Sequence, residues 1–184
     1  MATITKAELR ALAQNKAGAR GLNGYVNETR MFSATTSETS LFLSHSHKDR
    51  DIVEQAKIIF EKLGISIYVD WADEEMPIKT NGITASNIKK KIFQNDKFVF
   101  LGTNDAVNSK WCNWEIGIGD TYKYTNDKIA ILGIADNNRH WEGNEYLQIY
   151  PRIEYRKYKF YDAYDYFVIY PNNTSTTLKE WLQK

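Results

Sequence analysis

Cysteine is nearly absent from this chain of 184 residues, and Cys112 alone excludes an internal disulfide and any zinc cluster built from thiolates. Long apolar runs are missing as well. None approaches the roughly 18 residues needed to span a bilayer. The opening MATITKAELRAL mixes charged and apolar residues and has no signal-peptide core, so a cytoplasmic protein with no membrane partner is expected. Neither sign of charge is in excess. With 24 Lys and Arg against 23 Asp and Glu, the chain offers no broad basic surface for nucleic acid. Phosphate cradles are also lacking. There is no G-x-x-x-x-G-K-[ST], and Gly117 and Gly119 stand without the other glycines of a dinucleotide fingerprint. Where a phospho-receiver would carry acids after its first strand, this chain has Ser44-His45-Ser46-His47.

What is present divides at about residue 40. Residues 2–15 have helical spacing, with Leu9, Leu12 and Ala13 on one face, and 16–40 are rich in Gly, Ala, Asn, Ser and Thr. Residues 1–39 therefore read as an N-terminal helix and flexible arm, and 40–184 as the main domain. There the pattern alternates. Leu41-Phe42-Leu43, Ile65 to Val69, Phe98 to Leu101, Ile129 to Ile134 and Tyr166 to Tyr170 read as five strands. Between them, Ile52 to Leu63, a segment ending near Asn95, and a segment capped by Asn108-Ser109 read as helices; Thr174-Ser175 caps a last one. This order predicts a five-stranded parallel α/β sheet with helices on both faces. Ligands of such sheets sit outside the carboxyl ends of the strands, here the loops His45–Asp49, Asp70–Asn81 and Thr103–Lys110.

The most informative segment is Ser109-Lys110-Trp111-Cys112-Asn113-Trp114-Glu115. Trp111 and Glu115 stand at i and i+4, on one helix face. An indole beside a carboxylate can hold a flat cationic ring while the carboxylate faces the carbon bearing the leaving group. That suits cleavage of an N-glycosidic bond through an oxocarbenium-like transition state. By spacing alone, a core Trp with a surface Glu one turn on is the commoner arrangement.

Leu41 to Asp49, Val69-Asp70-Trp71 and Ser109 to Glu115, in this order and spacing, resemble a Toll/interleukin-1 receptor (TIR) domain over about residues 40–184. The likeness is greatest to bacterial TIR domains with S-H-S/A-x-x-D and W-C-x-x-E patterns, some of them from antiphage systems such as Thoeris. The resemblance implies a flavodoxin-like fold and cleavage of NAD⁺ into nicotinamide and a linear, cyclic or conjugated ADP-ribose product. NAD⁺ is then a substrate, with no cofactor and no metal. It implies Glu115 as the catalytic residue and Trp111 as a residue shaping the pocket and product. His45, Ser46 and Trp71, at the start of the family's BB loop, match positions near the substrate. It also implies TIR–TIR self-association and a separate effector protein that reads the product. This BB loop departs from the pattern in carrying Asp73-Glu74-Glu75, acids that would repel NAD⁺ phosphates if turned inward.

Rival readings are weaker. His45 and His47 form an H-x-H pair without a third ligand in view. Cys112 has no His placed by sequence to activate it, so it reads as a small packed hydrophobe. Eight tyrosines between Tyr146 and Tyr170, with Arg152, Arg156, Lys157 and Lys159 among them, could suggest RNA stacking. Glu145, Glu154, Asp162 and Asp165 dilute that charge, and an insertion that packs or forms an interface is the expectation. The alternative function is a non-catalytic TIR adaptor. Glu115 favours an enzyme over it, because an adaptor needs no carboxylate one turn after that Trp.

Overall fold

The computed structural model describes residues 4–17, 39–70, 81–160 and 162–184. The strands are β1 (Ile4–Thr5), β2 (Ser40–Ser44), β3 (Ser66–Tyr68), β4 (Lys97–Gly102), β5 (Ile129–Ala135), β6 (Arg152–Lys157), β7 (Tyr164–Ile169) and β8 (Ser175–Thr177). The helices are α1 (Lys6–Ala17), α2 (Arg50–Glu61), α3 (Gly82–Gln94), α4 (Asn104–Val107), α5 (Lys110–Lys123) and α6 (Leu178–Gln183). The sheet runs β3-β2-β4-β5-β6-β7-β8, and β1 pairs with β5.

Strand alternation divides the core in two. Leu41, Leu43, Val99, Leu101, Ala130 and Leu132 point to one face, where α1, α2 and α6 bring Leu9, Ile52, Ala56, Ile59 and Trp181. Phe42, Phe98, Phe100, Ile129 and Ile131 point to the other, against Ile88 and Ile92 of α3 and Cys112 and Ile116 of α5. Burial on both faces explains why β4 and β5 are nearly unbroken apolar runs. Local chemistry sets the helix ends. Gly64 closes the α2 turn at φ +79°. Asn81 and Thr84 form a reciprocal cap on α3, and the Ser109 hydroxyl accepts from Cys112 N at 3.3 Å to start α5.

Three expectations are corrected. Among the described residues the sheet has eight strands rather than five. The fifth parallel strand is Arg152–Lys157, joined to β5 by the single pair Ile131↔Arg152, and not Tyr166–Tyr170. Within the tyrosine-rich segment, β6 and β7 pair antiparallel, with Tyr155 stacked on Tyr164 at 5.7 Å and Tyr166 buried. The last helix is capped by Thr177 with Glu180, because Ser175–Thr177 pairs with β7 first. The N-terminal helix begins at Lys6, and residues 4–17 lie in the fold: Ile4 pairs with Ile134, and Leu9 and Ala13 are fully buried. Of the expected arm, residues 18–38 lie outside the described residues, as do Trp71 and the acids at 73–75. No helix among the described residues is long and apolar enough to cross a membrane.

Candidate active site at the carboxyl ends of β2 and β3

Ser44 ends β2. Alternation places it on the side of Phe42, facing α5. The sheet-facing stripe of α5 is Cys112, Glu115, Ile116, Gly119 and Lys123, so a carboxylate occupies a position where the helical period calls for an apolar residue. Gly119 makes the close approach possible, since a Cβ there would stand 3.1 Å from the Phe98 ring. Glu115 is 5% exposed, and the Ser44 hydroxyl donates to its Oε2 at 2.5 Å. Burial raises the Glu115 carboxyl from its ordinary value to about 7. The Ser44 hydrogen bond opposes that rise, the Asp70 charge adds to it, and His45 opposes it.

His45 follows directly and is also buried. Its Nδ1 lies 2.7 Å from the Leu43 carbonyl oxygen, and its Nε2 lies 3.2 Å from Asp70 Oδ1. A nitrogen facing a carbonyl must carry its proton, and the other then faces a carboxylate, so the geometry favours the imidazolium. Burial pushes the His45 pKa down. The Asp70 contact, the Leu43 carbonyl and the Glu115 charge together outweigh burial, and the net direction is up.

Ser46 is buried, and its hydroxyl accepts from Lys48 N at 3.4 Å at the start of the 3-10 turn His47–Asp49. His47 is exposed, with its ring edge-on to His45. Asp49 ends that turn, buried, and accepts from the Thr103 hydroxyl at 2.5 Å, which ties the carboxyl ends of β2 and β4 together. Trp111 is half-buried on the Phe42–Ile88–Cys112 cluster, its ring edge-on to Trp114 at 5.4 Å. Cys112 is buried too. Burial first, and the neighbouring Glu115 charge second, push its thiol up to about 12, so it stays a thiol at neutral pH.

Thus the structure places His45, with Ser46 next along the chain, directly after Ser44, the partner of Glu115, and sets Trp111 one helical turn before Glu115. Sequence reasoning missed Ser44 and Asp70 as site residues, and the Asp49–Thr103 link. Ser44 could have been found by counting in twos from Phe42, and Asp70 by its place at the end of a strand. It also missed Trp141, whose indole N–H donates to the Gly102 carbonyl at 2.6 Å where β4 ends. A cavity of about 240 Å³ lined by Tyr124, Asp127, Ile149 and Tyr170 lies at the opposite, amino end of the sheet. Its carboxylate is taken up by Tyr170 and Trp181.

Two relatives are similar to this chain in sequence. One is the "Probable 3' cyclic ADP-D-ribose synthase ThsB'" of Bacillus cereus (strain MSX-D12), 31% identical over 117 residues, covering 61% of this chain and 59% of that protein. The other is TIR2 of Cytobacillus dafuensis, provisionally named a cyclic ADP-D-ribose synthase, 34% identical over 79 residues, covering 41% of this chain and 21% of that protein. The chain thus spans less than two thirds of either relative. The TIR domain family matches residues 41–164, well over half of the chain. With its mostly parallel sheet flanked by helices, the chain belongs to the TIR domain family, in a flavodoxin-like α/β fold.

Proposed function

We propose that this chain cleaves the nicotinamide–ribose bond of NAD⁺ and converts the ADP-ribosyl group to a cyclic or conjugated product. The observation that carries the reading is the buried carboxylate of Glu115, held by Ser44 where β2 ends. In the reaction the C–N bond breaks with its electron pair going to nicotinamide, whose ring loses its positive charge. The positive charge passes to the ribose as an oxocarbenium. A carboxylate fixed in a water-poor site stabilises that charge without reorganising. A hydroxyl of the same molecule, or of an acceptor, then attacks the anomeric carbon and loses its proton. A carboxylate titrating at about 7 suits taking up that proton at neutral pH.

His45, Ser46 and Trp71 are assigned to the substrate site, and Trp111 to stacking on a ring of NAD⁺. No resident cofactor or metal is required. The names of both relatives support cyclisation as the outcome. The same reading includes TIR–TIR self-association, an effector that binds the product, a cytosolic setting and a role in antiphage defence of the Thoeris kind. A non-catalytic adaptor is the other reading. It leaves unexplained why a carboxylate is buried and hydrogen-bonded on the sheet-facing stripe of α5. The test is incubation of pure protein with NAD⁺ and chromatographic resolution of the products. Glu115→Gln keeps the shape and loses the charge, and turnover should fall by about two orders of magnitude. A folded Glu115→Gln protein with near-normal turnover would sink the assignment.

A further inference from the structure

Ser44, the last residue of β2, and His45, directly after it, address the carboxylate in different ways. Ser44 donates directly to Glu115 Oε2. His45 has one nitrogen against its own strand's Leu43 carbonyl and the other against Asp70, where the chain leaves β3. With both nitrogens engaged and the side chain 3% exposed, His45 is not placed to exchange protons with solvent.

We propose that Ser44 and the His45–Asp70 pair are positioning residues, Ser44 fixing the orientation of Glu115 and the pair setting its charge, with Asp70 acting largely through His45. The proposal rests on the assignment of Glu115 as the reacting carboxylate, and its test reads that carboxylate independently of turnover. A buried imidazolium needs a counter-charge, which Asp70 supplies. In return, the cation offsets the repulsion between Asp70 and Glu115. Without His45, the Asp70 charge acts on Glu115 unopposed, and Glu115 keeps its proton to higher pH. Without Asp70, buried His45 sheds its proton, and Glu115 loses a repulsive and an attractive neighbour together.

The other ionisable groups around this centre are accounted for. Cys112, on the same helix as Glu115, is an un-ionised thiol. Asp49 faces His45 from the 3-10 turn, is bound by Thr103, and feels Lys6 and Asp105. His47 lies edge-on to His45 at 6.5 Å.

The experiment is a carbon-13 NMR titration of protein labelled at glutamate carboxyls, from pH 5 to 9, with the Glu115 signal identified by its absence in Glu115→Gln. The wild-type midpoint is expected at about 7. Ser44→Ala, which removes a hydrogen bond to the charged form, should raise it by about one pH unit. Ser44→Thr keeps the hydroxyl and should restore it. His45→Gln should raise the midpoint, and Asp70→Asn should leave it below the His45→Gln value. The acid limb of kcat/KM for NAD⁺ should move in the same order, with KM nearly constant in Ser44→Ala and Asp70→Asn. Against wild type, Ser44→Ala should lose about tenfold in rate at the acid end. Unmoved midpoints in Ser44→Ala and His45→Gln would overturn the proposal, and so would an Asp70→Asn midpoint at or above that of His45→Gln. Asp70→Asn and Ser44→Thr nearly preserve shape, so the comparison survives should Ser44→Ala fail to fold. If wild type leaves NAD⁺ intact while the midpoints move as stated, the proposed reaction fails and the charge-setting role stands.

Discussion

Glu115 places a stability cost where the proposed chemistry happens. A carboxyl raised from 4.5 to about 7 in the folded state binds a proton that the unfolded chain has already released. Over that interval the native state holds more protons, so stability falls as pH rises. Below about 4.5 both states are protonated and the contribution is intact; above about 7 both are ionised and it is fully lost. The difference amounts to about 3 kcal/mol, with no discount for solvent because the group is buried. Urea unfolding of wild type and Glu115→Gln between pH 4.5 and 8 checks this: the variant should lack that part of the downward slope. Parallel curves would mean that Glu115 is not desolvated. At this scale the sequence was partly legible. The Trp111–Glu115 spacing and the strand-end position of His45 were visible from residue order. The Ser44 contact was not, because it joins residues 71 positions apart and depends on the distance between α5 and the sheet.

That distance is controlled by one side of α5. Gly117 and Gly119 look equivalent in sequence, but Gly117 faces open space while a Cβ at Gly119 would press on the Phe98 ring. Phe98 is fully buried and stacked on Phe42 at 5.6 Å, so it has little room to yield. Gly117→Ala should therefore stabilise the protein by about 0.5–1 kcal/mol through helix propensity alone. Gly119→Ala gains the same propensity but meets an overpacking cost of about 1–3 kcal/mol, and should come out destabilised. If the helix moves outward to relieve the clash, Glu115 moves away from Ser44, so NAD⁺ turnover should drop in Gly119→Ala and not in Gly117→Ala. Thermal melts and turnover on the two proteins decide it. Among the elements, the central strands were readable because burial on both faces makes them continuous apolar runs. Strand β6 was not. Only Ile153 in Arg152–Lys157 is fully buried, and a single pair joins it to β5, so its alternation is masked by Arg, Lys and Tyr side chains.

Across the whole molecule, residues 4–17 close a gap that β6 leaves. β6 pairs with β5 at Ile131, whereas the carboxyl half of β5 is completed by β1 through Ile134 and Ala135. Helix α1 then packs on α2, and its start is tied to the segment after β5: Lys6 pairs with Asp136 at 2.8 Å, Ala7 N donates to Asn137 at 3.0 Å, and Arg139 pairs with Glu8 at 2.5 Å. These polar ties are half-exposed and contribute little each. The larger contribution is Leu9, fully buried among the residues of the α1–α2 face. Composition sets residues 1–39 apart from 40–184, and a detached helix predicts that Leu9→Ala leaves the main unfolding transition where it was. The packing predicts otherwise. Leu9→Ala should cost about 2–5 kcal/mol, a drop of roughly 5–15 °C in a single Tm. Scanning calorimetry separates the two outcomes: one transition shifted down makes residues 4–17 part of the cooperative unit that carries Ser44 and Glu115, and an unshifted main transition would make them an appendage.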